Sequence, residues 1–120
     1  MKGFRNQVNY LNYSWILKEF ENTALSLKGT IYGTAPVQAE GIVNGFPFYF
    51  RARHDIWTFS ISELQEVDPV DIQLIEQGEK YGFFAEGQIG KESEYAASYL
   101  GEKVVLEIIE KCCIKYIDTR

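Results

Sequence analysis

The sequence predicts an α+β fold: a mainly antiparallel sheet of about four strands, with a three-strand meander, one face packed against N- and C-terminal helices. Three observations carry this expectation. Residues 37–61, VQAEGIVNGFPFYFRARHDIWTFSI, hold two turn signals between runs rich in strand-forming side chains. The strands those turns define collect their apolar residues on one face. The stretch 102–117 has apolar residues at helical spacing with charges between them.

In chain order, residues 7–25 read as a helix. Val8, Leu11 and Trp15 form one stripe, and Tyr10, Tyr13, Leu17, Phe20 and Ala24 form a neighbouring one. Lys28-Gly29 is the expected stop. The β-rich composition of residues 10–20 leaves a strand as the alternative. Residues 30–36 are expected to connect to the meander.

The meander register follows from its turns. Asn44-Gly45 suits a two-residue hairpin, because both positions need positive φ. It pairs Val43 with Phe46, Gly41 with Phe48, Ala39 with Phe50 and Val37 with Ala52. His54-Asp55 serves as the second turn and pairs Arg53 with Ile56, Ala52 with Trp57, Phe50 with Phe59 and Phe48 with Ile61. Side chains alternate across a strand. The apolar face therefore takes Val37, Ala39, Gly41, Val43, Phe46, Phe48, Phe50, Ala52, Trp57, Phe59 and Ile61. The opposite face takes Gln38, Glu40, Ile42, Pro47, Tyr49, Arg51, Arg53, Ile56, Thr58 and Ser60. A one-residue slip would mix the two sets.

Beyond the meander, Asp68 and Pro69 open a short helix as N-cap and first helical residue, with Asp71 in its first turn and an end at Gly78. YGFFAEGQ, residues 81–88, reads as the fourth strand, and residues 87–94 as a polar turn. The last helix buries Val105, Ile108, Ile109, Cys112 and Tyr116 and turns Lys103, Glu107, Glu110, Lys111 and Lys115 outward.

At 120 residues the chain is read as one domain, 1–120. No run of apolar residues is long enough for a membrane helix, and the N-terminus lacks the apolar centre of a signal peptide. Adjacent Cys112 and Cys113 read as reduced, buried thiols, so the expected location is cytoplasmic. A net charge of -5 argues against binding to duplex nucleic acid or anionic membranes. Residues 62–79 hold six acids and no base, read as a solvated surface, with a docking patch for a basic partner as the alternative.

Catalytic chemistry finds little support. The lone histidine, His54, lies in a turn beside Asp55, where a hydrolase triad geometry cannot form. One histidine and two adjacent cysteines do not make a tetrahedral zinc site. No phosphate-binding loop or dinucleotide fingerprint occurs. No cofactor or metal is expected. Glu40 and Glu86 are the conceivable members of a carboxylate pair.

The polar sheet face is the candidate binding site: Glu40, Tyr49, Arg51, Arg53 and Thr58. Arginine forks grip carboxylates and phosphates, and tyrosine and arginine favour protein interfaces. FYFRAR superficially resembles the aromatic strand of RNA-recognition domains. Its phenylalanines fall on the core side, so RNA binding is not expected. Tyr95, Ser98 and Tyr99 in EYAASYLG form a second candidate, with Ser98 read as a helix-start residue.

These features point to a small non-catalytic protein-binding module of interaction, immunity-like or regulatory type. The alternative is a module binding a small anion through Arg51, Arg53 and Tyr49; an enzyme is the remaining reading. Self-association as a two-fold homodimer is a further open reading, with an edge strand such as 37–43 pairing with its copy.

Overall fold

The computed structural model describes residues 18–33, 36–88 and 101–120. They form a six-stranded sheet, antiparallel throughout, whose strands are neighbours in chain order. The strands are β1 (Lys18–Asn22), β2 (Leu27–Tyr32), β3 (Val37–Val43), β4 (Phe46–Arg53), β5 (Ile56–Ser62) and β6 (Gly82–Gln88). One helix, α1 (Glu102–Asp118), follows. The expected sheet of about four strands with helices at both ends is therefore corrected to six strands with one C-terminal helix.

The meander has the register its turns dictate. Asn44 and Gly45 have φ of 54° and 88°, and His54 has φ of 60°. Every pair expected from Val37↔Ala52 through Phe48↔Ile61 is present.

The correction lies at the N-terminal side. Residues 7–17 of the expected helix lie outside the described residues. Lys18–Asn22 is a strand, and Thr23–Leu25 is a single 3-10 turn. β2 takes residues 30–32 of the expected connector at 30–36. The physical cause is a pair of glycines. One row across the sheet runs Phe20, Gly29, Gly41, Phe48, Ile61, Phe83. A Cβ at Gly29 would come within 2.9 Å of the Phe48 ring and 3.0 Å of the Phe20 ring. The two phenylalanines thus fill the space the glycines leave, with ring centroids 6.4 Å apart. Gly29 is a mid-strand packing position, not a helix stop. Leu27 and Ile31 alternate with it into the core.

The second expected helix is also shorter than its signals suggest. Asp68 caps it as expected, accepting a hydrogen bond from Val70 N at 3.2 Å. The result is a 3-10 helix, Pro69–Leu74, followed by another, Gly78–Lys80, after Gln77 takes φ of 61°. Residues 69–80 fold over the β5–β6 half of the face opposite α1. Ile72 anchors them: it is 1% exposed, and a Cβ at Gly82 would lie 2.7 Å from its Cγ1. Ser60 and Ser62 are buried in this half of the sheet.

α1 crosses the other face. Val105, Ile109, Cys112, Cys113 and Tyr116 join Phe48, Phe50, Phe59 and Ile61 in one apolar cluster. Both cysteines are free, and burial pushes their thiols up to about 11 for Cys112 and about 12 for Cys113. The helix starts beside β1, where Lys18 and Glu102 stand 4.0 Å apart and Asn22 Nδ2 donates to Glu110. It ends beside β6, where Tyr116 meets Phe83 edge to face at 5.9 Å. There Glu63 accepts hydrogen bonds from Tyr116 Oη and Arg120 Nε, and Arg120 Nη2 donates to Gly82 O at 2.8 Å. This cluster pins the 63–82 segment to the helix end. No helix among the described residues is long and apolar enough to cross a membrane.

Candidate functional site

Alternation along β3, β4 and β5 places all five candidate residues on the face opposite α1. Register then sets their neighbours. One row across the sheet is Tyr32, Gln38, Arg51, Thr58, Glu86. The next is Thr30, Glu40, Tyr49, Ser60, Phe84. Arg53 stands opposite Ile56 at the hairpin end. Arg51 is thus at the centre of the sheet, flanked by Gln38 and Thr58, and Arg53 is two residues along on the same strand.

Tyr49 is the fixed member. Its hydroxyl donates to Gln38 Oε1 at 2.6 Å. Burial raises its pKa; the Arg51 charge opposes this, and Glu40 and Asp68 add to it. The phenol therefore stays protonated and keeps its hydrogen bond at neutral pH.

The arginines have no charged partner among the described residues. Arg51 and Arg53 make no side-chain hydrogen bond or ion pair with any described residue, and the Arg51 Nε is shut off from water without an acceptor. Glu40 and Arg51, diagonal neighbours on β3 and β4, do not form an ion pair. A buried donor without an acceptor is destabilising, so Arg51 is a charged group whose bonding capacity the described fold leaves unused.

Other sequence candidates separate. Glu40 is on β3 and Glu86 on β6, with two strands between them. At a strand spacing of about 4.8 Å that is about 14 Å, too far for a shared proton. His54 occupies the positive-φ turn position. Tyr95, Ser98 and Tyr99 lie outside the described residues. Among the described residues, no group of three His, Cys, Asp or Glu side chains is placed to hold a metal ion.

β3 is not an edge. β2 pairs with it from Leu27↔Val43 to Tyr32↔Gln38, which closes the homodimer contact expected through residues 37–43. Sequence reading also missed that Glu86 reaches the Arg51 row. Its alternation within 81–88 was visible, but its strand neighbour was not. Compared with protein-family models, curated proteins and solved structures, the chain matches none.

Proposed function

We propose that the protein is a small, non-catalytic cytoplasmic module that binds an acidic surface of a partner protein through the Arg51–Arg53 face. One observation carries this reading: two arginines on a central strand form no ion pair with any described residue, in a chain of net charge -5. An acidic protein elsewhere has little reason to hold two unneutralised cations on a rigid strand. Tyr49, Thr58 and the exposed Ile56 surround them with hydrogen-bonding and apolar contact area. Tyrosine and arginine are the side chains that most often dominate binding energy at such surfaces.

A small anion is the second reading, since neither Arg51 nor Arg53 forms an ion pair with a described residue and a guanidinium fork binds carboxylate or phosphate at two points. Native mass spectrometry of gently captured protein separates the two. A stoichiometric protein mass, lost in the Arg51→Glu/Arg53→Glu variant with unchanged circular dichroism, supports the proposal. A small-molecule mass lost in that variant replaces it with the anion reading. Retention of any partner by the variant removes this face from the function.

A further inference from the structure

The 69–80 segment presents a second surface of opposite character. Leu74 is 76% exposed, Val70 44% and Tyr81 43%, an unusual density of apolar side chains in water for so short a stretch. Beside them, where this segment meets β6, a cavity of about 230 Å³ is lined by Ile72, Ile75, Phe83, Phe84 and Glu79, among others. β6 has a strand neighbour on one side only among the described residues. Alternate backbone N–H and C=O groups along its outer side therefore face away from the sheet, with Gly82 O at its start already accepting from Arg120.

Charge selects the occupant. Glu79 lines the cavity, Asp71 and Glu76 stand exposed on the 69–80 segment and Glu86 is on β6, and none forms an ion pair with a described residue. Lys80 is the lone base of the segment, and Arg120 is already bonded to Glu63. A second copy of this chain paired through β6 would bring the same acids together. We propose that the β6 edge and residues 70–81 dock a basic, extended segment of a partner protein. The segment adds a strand to β6, places an apolar side chain in the cavity and sets lysines or arginines against Glu76, Glu79 and Glu86. This surface meets the Arg51 row only at Glu86, one strand beyond Thr58, and does not depend on the role of the arginines.

The test uses the full chain, isotope-labelled for amide NMR, titrated with a synthetic peptide of alternating lysine and leucine. A glutamate–leucine peptide of equal length is the control. Support is saturable binding of the basic peptide, with amide shifts confined to residues 70–88. Glu76→Lys/Glu79→Lys weakens it at least about tenfold, Leu74→Ser weakens it clearly, and Arg51→Glu/Arg53→Glu does not. The proposal is overturned by no binding, by equal binding of the acidic peptide, or by shifts centred on β3 and β4. Indifference to Leu74→Ser also overturns it, because bare charge attraction would then suffice. Leu74 is solvent-exposed, so its replacement leaves the fold intact as a control.

Discussion

On the α1 side of the sheet, Phe48, Phe50, Phe59 and Ile61 are at most 2% exposed, while on the other side of the same strands Tyr49, Arg51 and Thr58 are partly exposed and Arg53 is exposed. Phe48 stacks on Phe59 at 5.5 Å and Phe50 on Trp57 at 6.3 Å. Across the backbone, the Tyr49 hydroxyl donates to Gln38 on the neighbouring strand. Successive residues of β4 thus do opposite work. One set is satisfied by neighbours in the fold, and the other holds charge that those neighbours do not neutralise. The difference teaches where change should be tolerated: the strand is rigid because of one face, and that rigidity is what the other face presents.

The sharpest way to break the contrast is to alter the core face where it is tightest. A Cβ at Gly41 would collide with the Lys28 carbonyl oxygen and with the backbone of Gly29. Gly41→Val is therefore expected to cost about 5 kcal/mol and to leave little folded protein, as read by circular dichroism. Phe50→Ala, which empties a fully buried ring site, should cost about 4 kcal/mol in denaturant unfolding with an unchanged m-value.

An intermediate effect is expected where the faces are joined at the helix end. Burial pushes the Glu63 carboxyl up, but hydrogen bonds from Arg120 and Tyr116 and the Arg120 charge outweigh it and hold the pKa below the ordinary value of 4.5. A lowered folded pKa gives stability that is full above the unfolded value and lost as pH falls through the folded one. Thermal unfolding should show that acid-side loss, and Glu63→Gln should flatten it while costing about 1 to 2 kcal/mol at neutral pH. On the alkaline side, burial and then the bond to Glu63 push the Tyr116 phenol up to about 12 from 10.0. Its contribution is full below pH 10 and fades as pH rises towards 12. Absorbance at 295 nm, the tyrosinate band, should reveal this late-titrating tyrosine.

The smallest expected effect is the most informative about function. Arg51→Glu with Arg53→Glu should change unfolding free energy by no more than about 0.5 kcal/mol. A loss greater than about 1.5 kcal/mol would show that the arginines stabilise the fold, and would end the division of labour between the faces.

The chain by itself determined its middle and its end. Asn44-Gly45 and strict alternation set the register of β3 to β5, because turn geometry and side-chain period are local properties. The last helix was legible because its 17 residues keep one apolar stripe through several turns. From the same register came the placement of Glu40, Tyr49, Arg51, Arg53 and Thr58 on one face. Only the tertiary structure decided β1 and β2. Leu17, Phe20 and Ala24 fit a helical stripe, yet the contacts that make residue 20 a strand position come from Gly29 and Phe48, outside any local window. The lack of an ion-pair partner for Arg51 among the described residues, the arrival of Glu86 in its row and the folding of residues 69–80 over Ser60 and Ser62 were settled the same way. Each depends on which distant groups end up adjacent, and adjacency between sequence-distant residues is set by packing of the whole sheet rather than by any residue's own preference.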